Sequence, residues 1–462
     1  MTSREIVAAP PYPVVAAVFV VCAIVLGGGG SPNPGTEVLL QLLFVALALV
    51  WLWLPSRQGA TPMPRSASFW LICALVLALP LIQLVPLPPA VWTGLSGNED
   101  RAAALALVGR EKAWQPLTHS SPRTLAALLA IVPALFAFFA AASLDARGRL
   151  WVVGAIAAMA VAASLLGALQ VSLGPGAAPY LYAQNGATLT GFQANRNATA
   201  DVLLIGIAAS AALFVPSLAR TRTAGALLTN RRAAAVVLAG TIAVLFFAIL
   251  LTASRMGIAL VPLAFAGVWL ILLPALPDRH LLRFVPAVAA LAAVPVVAAA
   301  ALQLGNTALG KVAERFVFAD DSRRELWRDA WFAVTQAWPF GIGVGGAQPA
   351  LIAAERLEVL DHGLPNRVHN DYLELALEGG LPALVLIVAT ASVLLVVAWR
   401  TWHRRPEERH LTALGLVILL VVALHSFADY PLRSMALACL AGTGAGLLIS
   451  SPRKPAANEP ST

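Results

Sequence analysis

Residues 369–399 read HNDYLELALEGGLPALVLIVATASVLLVVAW. The first part carries His369, Asn370, Asp371, Glu374 and Glu378; after Gly379-Gly380, residues 381–399 contain no charged side chain. A run of that length is close to the ~20 residues needed to cross a hydrocarbon core. The change from polar to wholly apolar marks a chain entering a membrane from an aqueous loop.

Similar runs recur throughout. They cover residues 14–26, 38–54, 69–85, 125–143, 150–172, 202–218, 234–252, 257–273, 284–302, 381–399, 411–424 and 435–449. The chain is 59% hydrophobic and only 12% charged, with a mean hydropathy of +0.79, whereas soluble domains carry roughly 25% charged residues. A barrel would show alternating ten-residue segments instead of continuous apolar runs. The expected fold class is therefore an all-α polytopic membrane protein. It has about twelve transmembrane helices and one integral membrane domain over residues 1–462. A long external loop, residues 303–380, sits between the ninth and tenth spans.

Basic short loops stay cytoplasmic. With Arg4 inside, alternate connections carry Arg57 and Arg65, then Arg147 and Arg149, then Arg220, Arg222, Arg231 and Arg232. Arg279 and Arg283 follow, then Arg400, Arg404, Arg405 and Arg409, and finally Arg453 and Lys454. The short opposite connections hold almost none, so both termini are expected inside and the long loop outside. The first span also resembles a signal peptide, but no A-x-A site follows and its removal would upset the charge alternation. The net charge of +8 is thus mostly topology. No clustered basic face on a soluble domain supports nucleic-acid binding. Cys22, Cys73 and Cys439 lie in apolar runs and make neither a disulfide framework nor a metal site.

The long loop has its own pattern. Ser322-Arg323-Arg324-Glu325 fits a capping box. Trp327, Ala330, Trp331, Val334 and Trp338 recur at helical spacing beyond it, a face suited to lying on the bilayer. Gly341, Gly343, Gly345 and Gly346 follow no strand, so they read as a tight turn, with backbone amides available to an anion. A second helix opens at Asn370 or Asp371 and stops at Gly379-Gly380. That puts His369 at a helix N-terminus, where the partial positive charge favours a neutral, proton-accepting ring. Trp92 and Trp114, in the stretch 86–124, suit an interfacial position.

The candidate chemistry gathers at the outer edge. Arg255 has no neighbouring acid in sequence; its guanidinium fork matches two phosphate oxygens, although it equally fits a side chain snorkelling to headgroups. Arg323, Arg324 and Arg328 read as a solvated helix face or, with Arg255 and Arg196, as a basic site for an anionic lipid head. His369 reads as a base or as a surface histidine. His425 and Asp429 read as functional ionisable groups at a span end or as partners of each other across a turn. Asp320 and Asp321 flank a helix start, and no metal is expected.

Taken in order, these motifs resemble the signature of the bacterial O-antigen ligase and polymerase superfamily. The string His369-Asn370-x-x-Leu373-x-x-x-x-Glu378-x-Gly380 carries most of the likeness. Phe192-x-x-Asn195-x-Asn197, Ser254-Arg255, the Arg324…Trp331…Trp338-Pro339-x-Gly341-x-Gly343 block and His425…Asp429 add to it. Arg196, where relatives often carry proline, departs from the pattern.

The resemblance implies a metal-independent, inverting GT-C glycosyltransferase in the inner membrane, acting on the periplasmic side with no cofactor. Its donor would be a glycan on undecaprenyl diphosphate, and its acceptor lipid A-core or another lipid-linked glycan. His369 is then the expected base, with Arg255 and Arg324 stabilising the departing diphosphate. Asn195, Arg196, Asn197, Arg323, Arg328, Asn370, Glu378, His425 and Asp429 are expected around the substrates, Glu378 alternatively in a structural role. A protein O-oligosaccharyltransferase and a transporter or flippase of lipid-linked glycans are the competing readings.

Overall fold

The computed structural model describes residues 11–30, 34–54, 62–174, 180–182, 188–219, 227–228, 230–275, 323–359 and 364–451. Within them, the one strand pairing joins Pro86–Leu87 antiparallel to Gln115–Pro116. The helices in chain order are α1 (Pro11–Leu26), α2 (Pro34–Trp53), α3 (Ala67–Gln83), α4 (Pro89–Trp92), α5 (Glu99–Leu107), α6 (Ser121–Ser143), α7 (Ala146–Leu173) and α8 (Arg196–Leu218). They continue with α9 (Arg231–Leu251), α10 (Arg255–Ala259), α11 (Val261–Leu272), α12 (Arg323–Ala337), α13 (Ala347–Ala354), α14 (Asp371–Arg404), α15 (Arg409–His425) and α16 (Met435–Leu448).

Among the described residues, 7 helices are long and apolar enough to cross a membrane, and α1, α3, α11 and α16 are shorter apolar helices. This is compatible with an all-α polytopic membrane protein. Each expected span overlaps a helix except the ninth, residues 284–302, which lies outside the described residues. Residues 303–322 of the long loop, with Asp320, Asp321 and Ser322, lie outside them as well.

Helix starts follow the sequence. Asp145 caps α7 by accepting from the Gly148 amide. Asn230 caps α9 through the amides of Arg232 and Ala233, and Asn370 caps α14 through Tyr372 and Leu373. Short polar side chains here satisfy amides that no preceding turn can reach.

The bundle is organised around α8, which is buried along nearly its whole length. Helices α7, α9, α11 and α15 surround it, as expected of a helix apolar on every side. A second contact set runs α6–α16–α15. There a Cβ on Gly415 would stand 2.6 Å from the Gly444 carbonyl; small residues let helix backbones approach where no hydrophobic gradient drives packing.

The connections sort onto two ends. At one end, Arg149 meets Glu408 at 3.5 Å, Glu408 accepts from Ser451 at 2.5 Å, and the Tyr12 hydroxyl donates to Leu54 at 2.8 Å. At the other, Ala436 donates to Gly27, Ala194 to Gly28 and Leu189 to Leu251. The basic connections containing Arg149 and Arg409 therefore share an end, as the charge alternation requires.

Two expectations need correction. The apolar stripe of α12 is divided: Ala330 and Val334 are buried in the loop's own packing, and Trp327 donates to the Val368 carbonyl at 3.0 Å. Trp331 and Trp338 are exposed, so only that part of the stripe faces outward. Trp92 is buried rather than interfacial, because its indole donates to Ala113 at 3.0 Å and Arg101 stacks on its ring; Trp114 is exposed.

Candidate active site

The connection from α15 to α16, residues 426–434, is the hub of the second end. Three helices hold it. From the start of α14, Asn370 donates to the Phe427 carbonyl at 3.1 Å, and the Asp371 carboxylate accepts from Ser426 and from the Leu432 amide. From α12, Arg323 donates to the Ala428 carbonyl at 2.6 Å. From the start of α8, Asn195 and Asn197 donate to Oδ2 of Asp429 at 2.9 and 2.5 Å. Asp429 is thereby fixed from α8, and its other oxygen is left for one more donor.

That donor is His369, whose Nδ1 lies 2.9 Å from Oδ1 of Asp429. A carboxylate at Nδ1 selects the tautomer with its proton there and leaves the Nε2 lone pair to accept one. Burial alone would push the Asp429 carboxyl up; the hydrogen bond and charge of His369, with the bond from Asn197, hold it down at about 2. The His369 ring is 33% exposed, so the dyad is open on one side. Its edge contacts Tyr430 at 4.8 Å, whose phenol burial pushes up to about 12.

His369 also sits at φ +55, a backbone region that non-glycine residues rarely adopt and that persists only where surroundings impose it. Here the impositions are visible. Trp327 bonds the carbonyl of Val368, Glu374 accepts the amide of Val368 at 3.1 Å, and Asn370 begins the helix cap.

Behind the dyad is a buried charge network. Arg433 reaches Glu378 at 2.6 Å, Glu374 at 3.2 Å and Asp371 at 3.8 Å, and Arg367 donates to Glu374 at 3.0 Å. Burial disfavours the Arg433 cation, but Glu378, Glu374 and Asp371 outweigh it and raise its pKa above the ordinary value. Glu378 also accepts from the amides of Gly345 at 2.8 Å and Ala347 at 3.3 Å. The anion cradled by the glycine-rich turn is thus a carboxylate of the protein. Gly341, at φ +74, approaches so closely that a Cβ would lie 2.6 Å from the Glu378 backbone. Gly380, at φ +57, breaks α14 at the point where polar sequence gives way to apolar.

The expected site residues divide as follows. His369, Asp429, Asn195, Asn197, Asn370 and Arg323 meet at the hub. Arg196 is the first residue of α8, between the two asparagines that hold Asp429. Arg324 and Arg328 are exposed on the first turns of α12, beside Arg323. Arg255 opens α10, capped by Ser254; α10 packs on the start of α8, with Gly257 against Ala200. Ala253, just before it, holds φ +53. Glu378 is fully buried in the charge network. His425 is buried and its ring bonds Asp201, not Asp429. Glu325 pairs with Arg356.

Sequence reading missed Asp201, Arg433 and Arg367. Asp201 had a signal: an acid within an apolar run, four residues after Asn197 and so on the same helix face. Among the described residues, no group of three or more His, Cys, Asp or Glu side chains is placed to hold a metal.

Residues 240–388 match the model of the family described as O-antigen ligase. The matched stretch includes Arg255, Arg324, His369 and Glu378, and it supports the O-antigen ligase and polymerase superfamily for this chain. No curated protein matches it. The match spans about a third of the chain, and the several apolar helices are compatible with a multi-pass membrane protein.

Proposed function

We propose that the protein is an inner-membrane glycosyltransferase that moves a glycan from undecaprenyl diphosphate to a sugar hydroxyl at the periplasmic face. In this reading twelve spans place both termini in the cytoplasm and the hub outside. The observation that carries it is the His369–Asp429 dyad, 2.9 Å apart and open to solvent, with His369 in the long loop that also presents Arg324.

The chemistry is an in-line displacement. The acceptor oxygen bonds to the anomeric carbon from the face opposite the diphosphate, whose carbon–oxygen bond breaks, so configuration inverts. The hydroxyl proton passes to Nε2 of His369. Asp429 keeps the ring aimed and stabilises the imidazolium that forms, as an orienting carboxylate does in other His-based sites. General-base catalysis of this kind contributes typically 10²–10⁴-fold.

Undecaprenyl diphosphate leaves with the bonding electrons and needs only its growing charge stabilised. Arg324, exposed on α12, and Arg255, at the start of α10, supply guanidinium groups for that purpose. No metal is required by this scheme. Arg323 is committed to the Ala428 carbonyl, so its role is to dock α12, with Arg324 beside it, onto the hub.

The experiment that tests the reading supplies purified protein with an undecaprenyl-diphosphate-linked repeat and either lipid A-core or a second lipid-linked repeat. Elongated lipid A-core identifies a ligase, and an elongated second repeat a polymerase. A donor left intact with both acceptors, and equally with an acceptor protein, counts against glycosyl transfer and in favour of the transporter reading.

A further inference from the structure

Asp429 is held by more than the two asparagines. Asp201 stands one helical turn beyond Asn197 on α8, so the two face the same way. Asn197 bonds Asp429, and Oδ1 of Asp201 lies 2.6 Å from Nδ1 of His425. His425 ends α15, and its carbonyl accepts from the amides of Ala428 at 2.9 Å and Asp429 at 3.0 Å. One face of α8 therefore grips both ends of the turn that presents Asp429.

Neither member of the lower pair reaches a substrate: each side chain is 1% exposed. Yet neither is saturated. Among the described residues, Oδ2 of Asp201 and Nε2 of His425 have no hydrogen-bond partner. Both residues line a small cavity together with Asn195, Asn197, Asp429 and Tyr430, with room for about one water molecule. Such polar burial is costly, and a well-packed apolar pair of similar volume would serve the fold at least as well.

We propose that Asp201 and His425 are a positioning pair, which fixes the turn carrying Asp429 and thereby the tautomer and aim of His369. The inference rests on the reading of His369 as the base. It differs from that reading in placing part of the catalytic geometry inside the bundle, on α8, away from any substrate. Asp201→Asn retains size and one oxygen but loses the charge; His425→Gln loses the ring.

The test uses the full chain in detergent, with 15N in its 7 histidines and the His369 signals assigned by their loss in His369→Ala. The wild-type ring shows one tautomer, protonated at Nδ1. In Asp201→Asn and in His425→Gln the expected result is a mixture of tautomers at His369 in protein that remains folded, with a lowered melting temperature. In the glycan-transfer assay, kcat falls about tenfold or more while KM moves by less than about threefold, the pattern of a lost transition-state interaction. If only one variant folds, that variant decides. Unchanged His369 signals in the folded variants overturn the proposal, whatever the turnover does, and so does failure of both to fold. Transfer that survives His369→Ala defeats the catalytic reading instead, while the nitrogen signals still judge the pair.

Discussion

Nδ1 of His369 lies 2.9 Å from Oδ1 of Asp429, across 60 residues of chain that include α14 and α15. The same carboxylate is held on its other oxygen by Asn195 and Asn197, more than 230 positions away. Three distant segments thus converge on one ionised group, with one face of the imidazole left open.

Removing the carboxylate tests the dyad. Asp429→Asn presents an amide to Nδ1, which no longer selects the working tautomer. Turnover should fall about 10²-fold or more, within the range assigned to general-base catalysis. Because the residues act as a unit, the double variant with His369→Ala should be no slower than His369→Ala alone. Initial rates of donor consumption provide the check.

The asparagines act one step further back. Asn197→Ala removes a hydrogen bond to a charged group, an interaction worth about 1.5–3 kcal/mol, so turnover should drop roughly tenfold to a hundredfold. Substrate affinity should hold in a binding assay if Asn197 serves Asp429, and should weaken in parallel if it contacts substrate.

Arginine geometry separates recognition from simple charge. Arg324→Lys keeps the charge but loses the planar fork that matches two phosphate oxygens. Its turnover should remain close to that of Arg324→Ala, with both reduced about 10²–10³-fold, the usual cost of losing a stabilising donor. The same comparison applies to Arg255, read by single-turnover rates.

The charge network behind the site is structural in its effect. Glu378→Ala leaves the buried Arg433 short of its nearest carboxylate, 2.6 Å away, and strips the amides of Gly345 and Ala347 of their acceptor. Breaking a buried pair from one side costs about 3–5 kcal/mol. Thermal unfolding in detergent should show a clear loss of stability in this variant.

Acid stability follows from Asp429. Its folded pKa of about 2 lies below its reference of 3.8, so folding favours the ionised form. That stabilisation, about 2 kcal/mol, is fully present above pH 4 and is lost as pH falls through the folded value. Melting temperature plotted against pH should therefore fall less steeply between pH 4 and 2 in Asp429→Asn than in the wild type. The same value keeps Asp429 ionised throughout the neutral range.

Much of this architecture was legible in the sequence because membrane burial writes itself into composition. Residues 381–399 contain no charge, and α14 breaks at Gly380 where the polar stretch ends. Asn370 was recognisable as a cap, since its side chain satisfies the amides that open the helix. The partners were hidden. Nothing local says that His425 turns to Asp201 rather than to Asp429, four residues on, because that choice is made by how α8 and α15 pack. The glycine-rich turn was legible as an anion cradle, but the identity of the anion, Glu378, depended on a contact across more than thirty residues. The α12 stripe misled because period alone cannot distinguish a face meeting lipid from one meeting the rest of the loop.

The central claim is that the imidazole at position 369 removes the proton from an incoming sugar hydroxyl. The most direct measurement is the initial rate of transfer from an undecaprenyl-diphosphate-linked glycan by purified wild type and His369→Ala, each confirmed as folded by its melting temperature. The account predicts a fall of at least about 10²-fold in the variant. Equal rates would contradict it.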